Sequence, residues 1–329
     1  MSEPTSSAVI PPIIPPIISP IPGINIDFRP GLRLTGVVDS LGLLADLAGT
    51  WIGTGFNLIS LPDFDSRPPS TGPKAFRLKL NNTVEILEFN PVGAAVPNRG
   101  SLLPNIPPGQ PPVGQPDIDI FALRYLQRIT DAVTHEPLHI EPGLWLNVPK
   151  TEFPALPPTV VRQGTIPHGN SLLAVGSAFL SPTGLPVIGV ADSTPTKNPD
   201  VPPPLTAAYL APFNDPSLLP PGFTLPVVKN PNLVLQQAIL QQKIIRTVVL
   251  TISTANPKGA PPAQLGGIVN MPFDIVNANA TRLDAIFWIE TVQQSDGSTF
   301  LQLQYTQTVI LNFLAVDWPH ISVATLVKQ

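Results

Sequence analysis

Histidines and one nearby carboxylate are the side chains of this sequence best suited to chemistry. The chain has four histidines and no cysteine, which excludes a disulfide framework, a thiolate metal site and a thiol nucleophile. His139 and Glu141 are two residues apart in a segment that we expect to be extended, so their side chains project to the same side of a strand. Facing a cavity, they would form an acid–base pair. A buried Glu141 requires a partner, and Arg124, Arg128 or water could supply it.

His320 opens the run from Ile321 to Val327, which is predicted to be a β-strand. In a β-strand His320, Ser322 and Ala324 therefore share one face, while Ile321 and Val323 occupy the other. The small side chains beside His320 leave room for a large planar ligand. This pattern makes His320 the strongest candidate for a ligating histidine.

The remaining histidines have a less specific context. His135 and His168 each lie in a short segment rich in Pro, Gly, Asn or Asp, which is typical of a turn. We expect both to be solvated turn residues.

The composition favours a protein with an internal, apolar-lined pocket. Hydrophobic residues make up 43% of the chain and charged residues 12%, and the mean hydropathy is +0.22. No segment approaches the roughly 20 uninterrupted apolar residues of a membrane-spanning helix, and the net charge of −4 argues against nucleic acid as a partner. Without cysteine, the cytoplasm is the default compartment. A barrel whose strands line a cavity accounts for the apolar excess.

Prolines divide the sequence into short segments rich in β-branched residues. There are 45 prolines, and since proline is excluded from central strands they mark the connections. Strands are predicted near 50–60, 75–80, 83–89, 118–129, 138–148, 159–167, 171–180, 246–254, 282–293, 299–313 and 319–327. Asn81-Asn82 and Ser295 to Ser298 are predicted to be hairpin turns. Two short helices are expected, over 39–47 and from Pro231 to about Ile244.

We therefore predict an all-β protein, an antiparallel β-barrel of about ten strands with long Pro-rich loops. Residues 1–30 are expected to be an extended Pro- and Ile-rich arm, which would act as a dimerisation arm if it wraps a neighbour. Residues 31–329 form a single barrel domain, with insertions at 90–117 and 181–245.

Three segments, in order, resemble nitrobindin, a family of haem-binding, ten-stranded β-barrels similar in appearance to lipocalins and fatty-acid-binding proteins. The first is the run from Leu47 to Gly55, with Gly49, Trp51, Gly53 and Gly55 at alternate positions. The second joins 124–128 to 138–143, which contains His139, Glu141 and Gly143 at alternate positions. The third runs from Gln304 to Leu326 and places His320 near the C-terminal end.

The resemblance implies haem b held by His320 as the axial iron ligand. Leu138 and His139 would line the other side of the haem, and Trp51, Ser322 and Ala324 would complete the cofactor-binding set. Family members are linked to nitric oxide binding and peroxynitrite isomerisation. An isomerase or peroxidase-like reaction on small nitrogen or oxygen species, including peroxide, is the implied activity.

Two other functions stay open. A metal-free barrel would carry a fatty acid or another hydrophobic ligand, with His139 and Arg124 orienting its polar end. A haem-free enzyme would use His139 and Glu141 as an acid–base pair on a hydrophobic substrate.

Overall fold

Ten long strands, each antiparallel to its neighbours, form a closed β-barrel. The structure is a computed structural model that describes residues 39–66, 73–102, 113–153, 155–197, 201–255 and 266–329. The strands are β1 (Gly49–Pro62), β2 (Phe76–Pro91), β3 (Ile118–Asp131), β4 (Pro137–Val148), β5 (Thr159–Ile166), β6 (Asn170–Leu180), β7 (Lys243–Ser253), β8 (Asn279–Gln293), β9 (Thr299–Phe313) and β10 (Val316–Lys328).

Pairing of the first strand with the last closes the barrel. β1 pairs with β2 on one side and with β10 on the other, with Asn57 opposite Ser322. The two strands approach closely because β1 carries glycines: a Cβ on Gly53 would lie 2.1 Å from the carbonyl oxygen of Thr325, and one on Gly55 would lie 2.2 Å from that of Val323. These two positions therefore exclude any larger residue. The predicted fold class is confirmed.

Shorter elements decorate the barrel. Two-residue to four-residue strands lie at Val96–Asn98, Thr151–Glu152, Ala155–Leu156, Thr196–Lys197 and Gly267–Asn270. The α-helices are α1 (Pro203–Asn214), α2 (Leu225–Lys229), α3 (Asn232–Ile239) and α4 (Pro272–Asn277), and 3₁₀ segments lie at Asp39–Leu47 and Pro216–Leu218. In the described residues, no helix has the length and apolar character needed to cross a bilayer.

Alternate side chains of every strand point into the barrel and form one apolar cluster. Its largest members are the aromatic residues Trp51, Trp145, Phe287 and Tyr305. The Trp145 and Phe287 rings pack edge to face, with their centroids 5.1 Å apart. This packing fills the middle of the barrel.

A 3₁₀ segment closes one end of the barrel. Leu41, Leu44 and Leu47 of Asp39–Leu47 are fully buried in the interior cluster, and the indole N–H of Trp51 donates to the carbonyl of Leu47 at 2.7 Å. The segment turns at Gly42, whose φ of +56° is in the left-handed region that favours glycine. We call this the Trp51 end, and the opposite one the His320 end.

Residues 181–197 and 201–242, here called the cover segment, pack on the outer face of the barrel. Tyr209, Phe213, Val228 and Leu235 from α1 to α3 are buried in a second apolar cluster. On the barrel side this cluster contains the outward-facing Ile321 and Val323. It also contains Trp318, which stacks on Phe313 at 5.1 Å and packs edge to face with Tyr209 at 5.7 Å. The wall under the cover segment is thus buried on both faces, which accounts for the apolar composition.

Several sequence-based expectations need correction. Asn81-Asn82 is not a turn, because β2 runs unbroken through it and pairs with β1 at both residues. The helix predicted from Pro231 to Ile244 ends at Ile239, and β7 already begins at Lys243. The turn at 295–298 is confirmed, with Gly297 at a φ of +87°. The predicted arm at 1–30 lies outside the described residues, and the boundaries of the two predicted insertions stay predictions.

Candidate functional site

The His320 end of the barrel holds the candidate site. His320, Ser322 and Ala324 point into the barrel, as predicted, because Ala324 and Leu326 on the same face belong to the interior cluster. His320 Nε2 lies 2.8 Å from Asn57 Oδ1, and the Ser322 hydroxyl donates to the same oxygen at 2.9 Å. With Asn57 Oδ1 as the acceptor, Nε2 carries the proton and Nδ1 keeps a lone pair.

We call the region around His320 at the barrel mouth the recess. Its side chain is half-buried and retains accessible surface. Burial in the surrounding protein nevertheless lowers its pKa to about 3, with smaller contributions from His139 and His168. His320 is therefore neutral at physiological pH, and its remaining accessible surface lies at the barrel mouth.

Two more histidines lie across the recess from His320. His139 is on β4 and His168 is in the turn between β5 and β6, on the opposite side of the barrel from β10. Their rings stack with centroids 6.3 Å apart. Partial burial, followed by the charge of His139, lowers the pKa of His168. His168 was expected to be a solvated turn residue, and it is exposed, but its ring also completes this histidine pair.

A buried ion pair forms the floor of the recess. Arg162 Nη2 donates to Glu141 Oε1 at 2.8 Å, and the side chains of Arg162 and Glu141 are 2% and 0% exposed. His139 Nε2 lies 3.2 Å from Glu141 Oε2. Burial raises the pKa of Glu141, but the Arg162 guanidinium and the His139 hydrogen bond outweigh it and hold that pKa well below the ordinary value. Glu141 is therefore ionised and orients the His139 ring.

The other two nitrogens of Arg162 are also engaged. Its Nε donates to the Tyr125 hydroxyl at 3.0 Å and its Nη1 to Gln307 Oε1 at 2.6 Å. Tyr125 in turn donates to Glu141 Oε1. A guanidinium and a carboxylate this deeply buried are stable only when paired and hydrogen-bonded in this way. The floor is therefore a closed network in which the positive charge is already neutralised.

A glycine makes room for this network. A Cβ on Gly164 of β5 would lie 2.2 Å from Glu141 Oε1 and 2.8 Å from the Tyr125 hydroxyl. Any side chain at this position would displace the carboxylate.

A second buried carboxyl lies beside the first network. Glu85 accepts from Tyr305 at 2.7 Å and from Gln127 at 2.7 Å. Burial raises the pKa of Glu85 to about 7, although the hydrogen bonds from Tyr305 and Gln127 oppose the rise. The barrel thus contains one carboxyl held ionised and another that is mainly protonated below neutral pH.

The predicted site residues are only partly brought together. His320 and Ser322 lie in the recess with His139, and Glu141 is directly below it. Ala324 is the next interior residue after Ser322 and is buried.

The other predicted residues lie elsewhere. Trp51 is opposite Lys328 at the far end of the barrel, against the 3₁₀ segment. Leu138 is half-buried at a register irregularity between β3 and β4.

The expected partner of Glu141 was wrong. Arg124 and Arg128 alternate with the buried residues of β3 and so face outward, and Arg128 pairs with Glu88 at 3.1 Å. The partner is Arg162 on β5, the strand that follows β4 in the barrel. Sequence reasoning missed Arg162, Tyr125 and Asn57. The available signal was a lone arginine at an interior position of an apolar strand.

A separate groove lies on the outside of the barrel. It has a volume of about 420 Å³ and runs over the outer faces of β6 to β9, with Trp288, Ile286 and Thr308 on its floor. Val190 and Asn232 of the cover segment form its edge. This groove is independent of the histidine recess.

Among the described residues, no group of three or more His, Cys, Asp or Glu side chains is arranged to hold a metal ion.

No protein-family model matches the chain, and no curated protein matches it. Among solved structures, the crystal structure of Rv2717c from M. tuberculosis is similar, with 16% sequence identity and a TM-score of 0.40. The alignment covers 88% of this chain and 97% of that one.

Proposed function

We propose that this protein binds a small molecule in the recess between His320 and the stacked pair His139 and His168. The observation that carries the proposal is the environment of His320, which keeps accessible surface in a place where burial holds the imidazole neutral. A concave site with a few convergent polar groups among apolar walls is the usual form of a ligand pocket. Here Asn57 and Ser322 supply polar groups, and half-buried Val309 lies opposite His320 on β9.

The closed floor restricts the ligand. Because Arg162 donates to Tyr125, Gln307 and Glu141, its guanidinium is already committed and does not serve as a clamp for a ligand carboxylate. Arg124 faces outward and is exposed, so it does not orient a polar end as the carrier hypothesis required. We infer a ligand with an apolar body whose polar atom meets an imidazole rather than an arginine.

Haem is the first ligand to test. His320 is chemically suited to be an axial iron ligand, because its imidazole is neutral. Its Nε2–H donates to Asn57 Oδ1, which orients the ring and leaves the lone pair of Nδ1 available to the iron. The small side chains of Ser322 and Ala324, on the same face of β10, would leave room for a large planar ligand beside His320. Bound haem would supply the reactivity toward nitric oxide, peroxynitrite or peroxide. The residues of this chain would orient the imidazole and limit the access of water.

Titration of the purified protein with haemin, followed by absorption spectroscopy, tests this assignment. We expect a saturable Soret shift in the wild type that is lost in His320→Ala. His135→Ala is the matched control, because His135 lies in the exposed turn between β3 and β4 and should leave the shift unchanged. A wild-type spectrum identical to that of His320→Ala would exclude haem as the ligand.

The broader proposal needs a separate measurement. A fluorescent apolar probe that binds the wild type should be displaced by the true ligand and should lose affinity in His139→Ala and in His320→Ala. Equal affinity in both variants and in the wild type would place the probe elsewhere, for example in the outer groove, and would overturn the recess as the binding site.

Acid–base catalysis by His139 is the second candidate function. The observation that favours it is the alignment of Arg162, Glu141 and His139, in which an ionised carboxylate lies within hydrogen-bonding distance of the imidazole and orients it. His139 Nδ1 would then accept a proton from a bound substrate. Activity that is lost in His139→Ala and Glu141→Gln but kept in His320→Ala would support this function, and activity lost only in His320→Ala would refute it.

A further inference from the structure

Two buried oxygen atoms under the cover segment lack partners. Among the described residues, Glu290 Oε1 on β8 and Gln304 Oε1 on β9 are the buried side-chain atoms without a hydrogen-bond partner. Both residues are 0% exposed. An unpaired buried acceptor costs about 1 to 3 kcal/mol, so two of them on adjacent strands require an explanation.

The two side chains are diagonal neighbours on the outer face of the barrel. Glu290 pairs with Gln302, and Trp288 pairs with Gln304, so Glu290 and Gln304 lie on one face and two positions apart. Residues so related are within reach of each other when their side chains are long. Both oxygens are acceptors unless the carboxyl carries a proton.

The same face anchors the cover segment. Gln304 Nε2 donates to the carbonyl of Leu235 in α3 at 3.1 Å. Gln302 and Gln242 exchange two amide hydrogen bonds of 2.9 Å, and Gln302 Nε2 also donates to Glu290 Oε2 at 2.7 Å. Glu290 thus lies beside the polar contacts that fix α3 and Gln242 to the barrel.

No charged side chain among the described residues balances an ionised Glu290. α3 and residues 240–242 are uncharged, and Thr247 faces Glu290 from β7. Arg246 pairs with Asp46 at 2.7 Å, and Lys328 donates to the carbonyl of Asp46 at the Trp51 end.

The charged groups nearest in sequence on the cover segment and at the start of β7 point to solvent: Asp192, Lys229 and Lys243 are exposed. Burial raises the pKa of Glu290 to about 7, and only the Gln302 hydrogen bond opposes it.

We propose that Glu290 is protonated in the folded protein and donates its proton to Gln304 Oε1, forming a proton-dependent contact that holds α3 and the cover segment on the barrel. One O–H···O hydrogen bond satisfies both orphaned oxygens. Loss of the proton leaves a bare carboxylate opposite an acceptor, which loosens α3. Because Asn232 at the start of α3 edges the outer groove, access to that groove becomes dependent on pH.

The direction in which pH changes the opening equilibrium of α3 follows from proton linkage. Opening exposes Glu290 to water, where its pKa returns to the ordinary value of 4.5, so opening releases a proton between that pH and about 7. Across this window the opening equilibrium increases about tenfold per pH unit, and it levels off above it.

Two measurements test the proposal. In protein labelled with ¹³C at glutamate carboxyls, the resonance that disappears in Glu290→Gln should titrate with a midpoint near 7. Hydrogen exchange of α3, corrected for the intrinsic pH dependence of exchange, should show the tenfold-per-unit slope in the wild type. Glu290→Gln, which replaces O–H by N–H as the donor, should abolish it. Glu85→Gln, at the other carboxyl of raised pKa, should retain it.

Either of two results overturns the proposal. An ordered water between the two oxygens would keep Glu290 ionised, and its resonance would then titrate near the ordinary value. An exchange slope in α3 that is the same in Glu290→Gln and in the wild type would show that the cover segment does not depend on this proton.

Discussion

Replacing Glu141 by glutamine should destabilise the protein more than any surface substitution on the same strands. The substitution leaves Arg162, which is 2% exposed, as a buried cation without a counter-charge. Breaking a buried pair by removing one partner costs about 3 to 5 kcal/mol, a large part of a typical folding free energy of about 5 to 15 kcal/mol. Arg162→Met should have a similar cost, because it leaves the carboxylate unpaired.

A double variant isolates the interaction energy between Glu141 and Arg162. Glu141→Gln with Arg162→Met removes both charges, so its loss should be far smaller than the sum of the single losses. Glu88→Gln with Arg128→Met is the matched control on the outer wall. That pair has side chains that are 35% and 45% exposed, so its coupling should stay within about 1 kcal/mol.

Urea unfolding followed by tryptophan fluorescence measures these differences, since Trp145 packs on the Arg162 guanidinium at 6.0 Å.

The pH dependence of stability gives an independent check. The pKa of Glu141 is lowered on folding, so its stabilisation is present at neutral pH and is lost as the pH falls below the unfolded value of 4.5. Glu141→Gln should lack that acid-dependent loss. Single-variant losses below about 1 kcal/mol, or additive ones, would refute the floor as a coupled ion pair.

Three further outcomes follow from the geometry. Glu85→Gln should flatten the dependence of the unfolding free energy on pH between 4.5 and 7. The wild-type carboxyl has a folded pKa of about 7 against an ordinary 4.5, so its contribution to stability falls by about 3 kcal/mol as the pH rises through that window. Identical profiles of wild type and variant in denaturant titrations would contradict the raised pKa. Gly164→Ala should destabilise the barrel and shift the NMR resonances of the His139 ring, since its Cβ would lie 2.2 Å from Glu141 Oε1. Unchanged His139 resonances would show that the carboxylate is not displaced. Trp51→Phe should lower the free energy of unfolding by about 1 kcal/mol, because the hydrogen bond to the Leu47 carbonyl is lost. Ligand affinity should not change, and weaker ligand binding would mean that the Trp51 end contributes to the site.

The strands and their faces were predictable where the alternation was undisturbed. His320, Ser322 and Ala324 point inward as their spacing requires, and His139 and Glu141 do the same. The period of two is a local property of the backbone, so it is visible without knowledge of the neighbours.

Features that depend on neighbours were not predictable in this way. Asn81-Asn82 favours a turn in isolation, but pairing with β1 on one side, and a hydrogen bond from Asn81 to Asp131 on the other, keep it extended. Arg162 is 21 residues from Glu141 in sequence, and their contact exists only after β4 and β5 pair.

Two of the cover-segment helices, α1 and α2, were missed. Proline-rich stretches were interpreted as loops, yet α1 begins with Pro203 and α2 has Pro226 in its first turn. Proline at these positions loses no helical hydrogen bond, because the first amide groups of a helix have no internal acceptor. Proline clusters therefore exclude central strands more securely than they exclude helices.

The pairing of β1 with β10 determines when this molecule can finish folding during translation. The 13 residues of β10 supply one wall of the histidine recess and cover the edges of both β1 and β9. Until they leave the ribosome, the nascent sheet keeps two open edges, which are sites for wrong pairing with other chains. Closure of the barrel therefore waits for β10, and a chain that stalls before this strand is prone to aggregate.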